Sequence, residues 1–335
     1  MDFDDTPEEA AFRTEVREWL VAHAPAKGGP DDFSTGFLEK TMSEEEFHRR
    51  VKKWQELLVE HGWAGITWPK DFGGRGGTAM QNTIWGQEAS QFGVTVNNYA
   101  VGIGMAGPTI LRHGTDEQKK RYLLPMLRGD EVWCQLFSEP DAGSDLANIS
   151  TRAVRDGEEF VVTGQKVWTS GAADSDWGIL LARTDPDVPK HKGITYFLVD
   201  MRTPGFDIRP LKQMTGSEHF SEVFMDEVRI PAANVLGDVN GGWGCAITTL
   251  SNERGLIAGA NKSSDTMALI ELARKRGTAD DPVIRQHLVD CWIRQQIQRF
   301  HGYRLQTALS KGVPPGPETS VMKLFAAEYL RRLGN

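Results

Sequence analysis

Apolar residues recur at helical spacing through the first third of the chain. Residues 6–9, Thr-Pro-Glu-Glu, supply an N-cap, a proline at the first helical position and a glutamate three residues after the cap. A helix is therefore predicted there, and its apolar residues are Phe12, Val16 and Leu20. The same kind of start at Ser43 predicts a second helix that Gly62 ends. A third, amphipathic helix is predicted over residues 116–127, where Pro125 must end or bend it.

The hydrophobic pattern changes its period in the middle third, over residues 132–236. Residues 151–155 and 160–163 are short β-rich runs on either side of Asp156-Gly157, a spacing that predicts a hairpin. Further strands are predicted over residues 178–183, 194–200 and 224–230. Together these runs predict a small β domain, either a sandwich or a barrel.

Helical spacing returns after Gly237. It is seen over residues 243–260, again after the cap at Asp281, and in a last segment over residues 318–333. Long helices with short connections predict an antiparallel bundle. The predicted fold is therefore α+β, and the three domains expected are an N-terminal α-helical domain (1–131), a middle β domain (132–237) and a C-terminal helical bundle (238–335).

The composition is that of an ordinary globular protein, with 335 residues of which 39% are hydrophobic. A formal charge of -8 disfavours a nucleic-acid partner, because such surfaces depend on clustered Lys and Arg. The three cysteines lie far apart, so neither a disulfide framework nor a metal site is predicted. The chain starts with acidic residues, and no apolar run approaches the roughly 20 residues that cross a bilayer. We therefore expect no membrane partner and a cytoplasmic location.

Residues 102–107 spell G-x-G-x-x-G, a pattern of dinucleotide-binding proteins. Pro108 follows directly, and the flanking residues do not form the strand-turn-helix unit that such a site requires. We therefore favour close packing of small residues over a nucleotide site, and these residues could border a ligand tunnel.

Two segments of the middle third carry the candidate chemistry. Residues 137–145, Phe-Ser-Glu-Pro-Asp-Ala-Gly-Ser-Asp, form a turn that can donate several hydrogen bonds to flavin edges or phosphate oxygens. Residues 164–172 contain Trp168, Thr169 and Ser170, one large aromatic face beside two hydroxyls, which suit a planar isoalloxazine ring. Taken singly, the first segment is an ordinary turn, and a tryptophan at a strand end is usually a core residue.

Together the two segments resemble the paired signature of the FAD-dependent acyl-CoA dehydrogenase family. The resemblance covers nearly the whole chain, because the family's Trp-Pro-x-x-Phe-Gly-Gly, Gly-Thr-x-x-Gln-Lys and Val-x-Ile-Pro-x-x-Asn-x-Leu-Gly stretches recur at Trp68, Gly114 and Val228. It implies bound FAD, an acyl-CoA substrate, dehydrogenation between the α and β carbons, and electron transfer to an electron-transferring flavoprotein. It also implies a homo-oligomer, either tetramer or dimer, or a heteromer with a paralogous subunit.

The resemblance assigns roles residue by residue. The cofactor contacts that it implies are Gln135, Phe137, Ser138, Gly143, Ser144, Trp168, Thr169 and Ser170. Trp168 would flank the isoalloxazine, and Ser170 stands where family members hydrogen-bond the flavin N5. The substrate contacts that it implies are Ser144, Ser251 and Arg254.

The reaction needs a base, because the α proton of the thioester must leave as the β hydride departs. Glu253 lies three residues after Leu250 and four before Ile257, so a helix would place its carboxylate on a partly apolar face that suits a base. The members that the chain resembles most, isovaleryl-CoA, long-chain and bacterial steroid side-chain dehydrogenases, have a catalytic Glu directly before an Arg here. The alternative is that Glu253 only pairs with Arg254 or a neighbouring helix.

Two features depart from the family pattern. Family members continue past the position of Asn335 through further helices that contact flavin across a subunit interface, so we expect the C-terminal bundle to be truncated. The family's Arg-x-x-Phe-Gly, which contacts the FAD pyrophosphate, is replaced at residues 274–278 by Arg-Lys-Arg-Gly-Thr, a run of charges expected to be solvated. A non-catalytic or half-site subunit of a heteromer and a related flavin oxidase are therefore kept as alternatives. The acyl chain of the substrate is left open.

Overall fold

The computed structural model describes residues 5–34, 42–259, 264–311, 313, 316 and 318–334. The side chains of residues 255–259, among them Ile257, lie outside the described part. The chain forms two compact units. The first consists of Met1–Ser34, Gly77–Val94 and Glu253–Asn335, and the second of Thr35–Gly76 and Thr95–Asn252. The predicted domain boundaries after residues 131 and 237 follow the change of secondary structure and stay predictions.

The order of elements along the chain is helical, then β, then helical, which confirms the predicted fold class. The helices are α1 (Pro7–His23), α2 (Glu44–Glu60), α3 (Ala79–Ala89), α4 (Gly107–His113), α5 (Asp116–Arg128), α6 (Gly242–Gly259), α7 (Ser264–Lys275), α8 (Pro282–Ser310) and α9 (Glu318–Gly334). A π-helical turn, Gly102–Ala106, leads directly into α4. The strands are β1 (Trp133–Leu136), β2 (Arg152–Asp156), β3 (Glu159–Ser170), β4 (Trp177–Arg183), β5 (Ile194–Asp200), β6 (Phe206–Leu211), β7 (Phe220–Pro231) and β8 (Val235–Leu236).

The helix starts follow the capping signals of the sequence. The Thr6 side chain accepts from the Glu9 N–H over 3.3 Å, and the Glu9 carboxylate accepts from the Thr6 N–H over 2.8 Å, so the capping box before α1 is confirmed. Pro125 does not end its helix, because α5 continues to Arg128. Gly129 then stops α5 with φ 67°, a left-handed conformation that glycine adopts without strain.

The β domain is one sheet in the order β6-β7-β3-β2-β4-β5-β8, with β1 parallel to β4. The predicted hairpin is confirmed, since β2 and β3 are antiparallel and the last pair before the turn is Asp156 with Glu159. β2 meets β4 at a single parallel pair, Arg152 opposite Arg183, so little backbone pairing joins the two halves of the sheet. Side chains from both halves nevertheless form one buried cluster, as in a sandwich-like fold. Its members include Leu136, Phe160, Val162, Phe197, Val199, Val223 and Val228.

The first unit is helical, and α1 packs against α3. Glu88 in α3 is 2% exposed and accepts from Arg13 and Arg17 of α1, over 3.0 Å and 2.8 Å at the shortest. The predicted cap of α8 is confirmed, since the Asp281 carboxylate accepts from two N–H groups of its first turn. The charges of residues 274–276, at the end of α7, are exposed. Among the described residues, no helix has both the length and the apolarity needed to cross a bilayer.

Candidate active site

The first candidate segment begins where β1 ends, in the second unit. Gln135 is half-buried in β1, and Phe137 is buried with its ring edge-on to Tyr196, the ring centres lying 5.9 Å apart. Ser138 is half-buried, and its backbone carbonyl accepts from the Val167 N–H over 2.9 Å. Because Val167 belongs to the second candidate segment, the two segments are adjacent in space.

A buried ion pair also joins the two segments. Lys166 is completely buried, and its ammonium donates to the Glu139 carboxylate over 2.7 Å and to the Phe137 carbonyl over 3.0 Å. The same carboxylate accepts from the Ser150 N–H and hydroxyl and from the Thr151 N–H, over 2.6, 2.8 and 3.0 Å. Burial alone would raise the pKa of Glu139, but the ammonium and these donors outweigh it and lower the pKa to about 2.

Trp168 lies at a bulge in β3. Lys166 pairs with Val223 and Thr169 with Ser221, so β3 has one residue more than β7 between these two pairs. Trp168 adopts φ 61°, a left-handed conformation that bulky residues rarely occupy. Its side chain is 61% exposed. The ring is therefore a surface feature and not the core residue that a strand-end tryptophan usually is.

The two residues that follow Trp168 differ in exposure. Ser170 is exposed, whereas Thr169 is buried, as the alternation of side chains along a strand requires. In the part of the chain that the structure describes, the Thr169 hydroxyl has no hydrogen-bond partner. The Ser170 hydroxyl is thus open to a ligand, whereas the Thr169 hydroxyl would reach one only after a local rearrangement.

Gly143 and Ser144 are exposed residues of the first segment. A Cβ added at Gly143 would meet no atom within 4 Å, so its backbone is open to close approach. Both carboxylate oxygens of Asp145 accept from the Lys190 ammonium, over 2.8 and 2.7 Å. This exposed pair places an ammonium group next to the turn, and the Asp145 carboxylate balances its charge.

The groups of these segments fit the isoalloxazine ring of a flavin. The exposed Trp168 face is available for stacking, and the Ser138 and Ser170 hydroxyls are available to hydrogen-bond a polar ring edge. The close approach of the two segments brings these three residues to one region of the β domain. Such a set suits a planar heterocycle that hydrogen-bonds along its rim.

Glu253 and Arg254 belong to the first unit, whereas Ser251 belongs to the second. The Glu253 side chain is 26% exposed, and its carboxylate lies 3.4 Å from the Lys323 ammonium of α9. Arg254 donates to the Ser320 hydroxyl, also over 3.4 Å. The Ser251 hydroxyl donates to a carbonyl of its own helix over 2.7 Å. Glu253 is thus partly buried and paired with a neighbouring helix, the contact that the alternative interpretation expects.

The glycine pattern at residues 102–107 forms a packing surface, as expected. A Cβ at Gly102 would lie 3.0 Å from the Met126 side chain, and one at Gly107 would lie 2.2 Å from the Trp68 ring. Glycine is required at Gly107, where the Trp68 ring approaches the backbone, whereas a small shift of the Met126 side chain would admit a Cβ at Gly102. The segment is helical and follows no strand, so it is not a dinucleotide-binding turn.

The sequence analysis did not predict the buried ion pair between Glu139 and Lys166. A signal for it is present, because Lys166 lies four residues after the buried Val162 and so shares its face of β3. A lysine on the inner face of a strand requires a buried partner, and Glu139 is the carboxylate in the other segment. The bulge at Trp168 has no comparable sequence signal.

Three family models match the chain in succession. The acyl-CoA dehydrogenase N-terminal domain matches residues 6–130, the middle domain residues 134–228 and the C-terminal domain residues 240–335. The models therefore account for nearly the whole chain in the order helical, β, helical.

Individual relatives agree with these models. The acyl-CoA dehydrogenase FadE34 of Mycobacterium tuberculosis is 44% identical over 283 residues, which are 84% of this chain but 39% of FadE34. The acyl-CoA dehydrogenase IpdE1 of the same species is 35% identical over 333 residues, 96% of this chain and 83% of IpdE1. Among solved structures, the Tcur3481-Tcur3483 steroid ACAD has a TM-score of 0.82 at 31% identity. The match covers 99% of this chain and 84% of the chain in that structure. From these matches, the chain belongs to the acyl-CoA dehydrogenase family of oxidoreductases.

Proposed function

We propose that this protein is a FAD-dependent acyl-CoA dehydrogenase that forms a double bond between the α and β carbons of a CoA thioester. The exposed Trp168 at its bulge, next to the Ser138 turn, carries the proposal. A large exposed aromatic ring on a strained backbone adds little to stability, so a ligand that covers it explains its position. Membership of the family supports FAD as that ligand.

FAD, when bound, would supply the acceptor for the β hydride. In this proposal the Trp168 ring stacks on the isoalloxazine and shields one of its faces from water, while Ser138 and Ser170 hydrogen-bond its polar rim. Ser144 is a proposed contact of both the cofactor and the CoA thioester. The remaining cofactor contacts proposed are Gln135, Phe137, Gly143 and, after a local rearrangement of its buried side chain, Thr169.

Glu253 takes the α proton of the thioester in this proposal. Its pair with Lys323 is partly exposed, and such pairs contribute only about 0.2–1 kcal/mol, so a bound substrate can displace the ammonium at small cost. Arg254 and Ser251 are proposed substrate contacts, since a guanidinium suits the phosphates of CoA and a hydroxyl can hydrogen-bond its polar groups.

Electrons leave to an electron-transferring flavoprotein in this proposal, and the chain works as an oligomer. Two structural neighbours support a heteromer with a paralogous subunit. They are the Tcur3481-Tcur3483 steroid ACAD and the ChsE4-ChsE5 complex of Mycobacterium tuberculosis, which is 30% identical with a TM-score of 0.78. Because the first is a steroid ACAD, bulky steroid-derived CoA thioesters are the first substrates to test.

The direct test combines flavin content with turnover. The purified chain is titrated with FAD and then offered acyl-CoA thioesters, from butyryl-CoA to steroid-derived ones, with an artificial electron acceptor. We expect stoichiometric FAD and reduction of the acceptor only with a CoA thioester. A chain that binds no FAD, alone or with a paralogous partner, would contradict the proposal.

A half-site subunit is the second candidate, favoured by the two-component structural neighbours. In that case FAD binding and turnover appear only when the chain is co-expressed with a paralogous subunit. Formation of hydrogen peroxide from air during turnover would instead identify an oxidase.

A further inference from the structure

Lys166 and Glu139 form a buried ion pair between the two candidate flavin segments, and neither is among the proposed cofactor or substrate contacts. We infer that they are positioning residues that hold the Trp168 bulge and the Ser138 turn in one arrangement, so that the tryptophan ring meets the flavin in a fixed orientation. This inference rests on the proposed function and adds residues that act on the cofactor through others.

Stability alone does not account for this pair. Removing an ammonium and a carboxylate from water costs several kcal/mol for each ion, and apolar residues of similar volume are often as stabilising as the pair. Lys166 occupies an inner position of β3, next to Val223 in the pairing with β7, where an aliphatic side chain would fill the core. The charges are therefore better explained by the contacts that they specify.

The contacts of Lys166 and its neighbour fix the backbone on both sides. The ammonium reaches the Phe137 carbonyl and the Glu139 carboxylate, over 3.0 and 2.7 Å. The next residue, Val167, donates its N–H to the Ser138 carbonyl over 2.9 Å. Three successive residues of the turn are thus tied to two successive residues that immediately precede Trp168.

Trp168 needs this restraint because its backbone is strained. A bulky residue at φ 61° persists only where the surrounding structure over-determines it. Without the restraint, β3 can lose the bulge and pair regularly with β7. A slip of one residue turns each side chain to the other face of the strand, so Trp168 would leave the outer face and Thr169 would replace it.

The experiment measures coupling between Lys166 and Trp168 in the binding of FAD. The dissociation constant of FAD and the visible circular dichroism of the bound flavin are compared for the unaltered full chain, Lys166→Met, Trp168→Ala and the double variant. We expect Lys166→Met and Trp168→Ala each to weaken binding about tenfold. The double variant should be little weaker than Trp168→Ala, because the lysine acts through the tryptophan.

Two further variants complete the design. Glu139→Gln keeps the shape of the carboxylate but not its charge, and it takes the place of Lys166→Met if that variant folds poorly. We expect Glu139→Gln to show the same coupling to Trp168. Arg229→Met is the matched control, because Arg229 pairs with Asp156 and Glu159 over 3.0 Å on the exposed side of the same sheet. It should leave both the dissociation constant and the dichroism unchanged.

Additive effects of Lys166→Met and Trp168→Ala would overturn the inference. So would a Lys166→Met protein with a lowered melting temperature but an unaltered FAD affinity and flavin dichroism, because the pair would then be structural only. Failure of the unaltered chain to bind FAD is a different result, since it would overturn the proposed function as well.

Discussion

The Tyr196 hydroxyl lies 3.0 Å from the Thr249 hydroxyl, and both side chains are completely buried. The Thr249 hydroxyl also lies 2.9 Å from that of Thr109. These hydroxyl groups connect strand β5 to α6 and α6 to α4, and the His113 imidazole of α4 adds a second contact, 2.8 Å from the Thr248 hydroxyl of α6. The ring of Tyr196 packs edge-on against Phe137, the residue that precedes Ser138. The hydroxyl network therefore reaches the first candidate segment through this ring contact.

Thr249→Val should destabilise the protein by about 1–3 kcal/mol, because the variant leaves the Tyr196 hydroxyl buried without that partner. Urea denaturation measures the change in the free energy of unfolding. Tyr196→Phe removes the other half of the pair, and the double variant should cost less than the sum of the two single changes. Equal stability of Thr249→Val and the unaltered protein would contradict this account.

Glu139 should make the protein sensitive to acid. Its pKa is lowered from 4.5 to about 2 in the folded state, so its contribution to stability is complete above pH 4.5 and is lost as the pH falls towards 2. The loss should be on the order of 2–3 kcal/mol. Unfolding measured from pH 5 to pH 2 should show a steeper decline for the unaltered protein than for Glu139→Gln. Parallel curves would show that Glu139 does not contribute to the decline.

The backbone at Trp168 should favour glycine over alanine. At φ 61° a residue with a Cβ is strained by about 1–2 kcal/mol, whereas glycine is not. Trp168→Gly should therefore be more stable than Trp168→Ala by about 1 kcal/mol when flavin is absent, as measured by urea denaturation. Both variants should bind FAD more weakly than the unaltered protein. A less stable glycine variant would mean that the bulge does not survive the loss of the ring.

Glu253→Gln should abolish turnover with an acyl-CoA while the protein keeps its yellow flavin, because an amide cannot take the α proton. The flavin spectrum and a stopped-flow measurement of flavin reduction separate the two properties. Glu328→Gln is a suitable control, since Glu328 lies in α9 and pairs with Arg331 on the surface. Flavin reduction at the unaltered rate in Glu253→Gln would place the base elsewhere.

Local signals in the sequence predicted most of the fold. The cap at Thr6, the turn at Gly157 and the cap at Asp281 act through neighbouring residues, so the sequence contains what is needed to predict them. Strand β6 was missed because its side chains are mostly exposed or half-buried and Pro210 interrupts its pattern. At Pro125 the prediction allowed either an end or a bend of the helix, and α5 continues because buried neighbours such as Met126 and Leu127 favour the helix there.

The sequence predicted only part of the candidate site, because several of its contacts join residues that are far apart in the chain. The two candidate flavin segments were proposed from their residue types, and the structure places them side by side. The contacts that join them, such as those of Lys166 with Glu139 and of Val167 with Ser138, are long-range, and composition or periodicity near one segment does not specify its partner in the other. The orientation of Trp168 follows from the pairing of β3 with β7, which depends on a partner strand some fifty residues later.

The single backbone pair between Arg152 and Arg183 has a consequence for how the sequence can change over time. Cohesion between the two halves of the β domain depends on side chains that face each other, such as Phe160 and Phe197, whose rings meet at 5.2 Å. A smaller residue in place of either ring would weaken the packing between the two halves. Substitutions at Phe160 and Phe197 should therefore accompany each other in evolution.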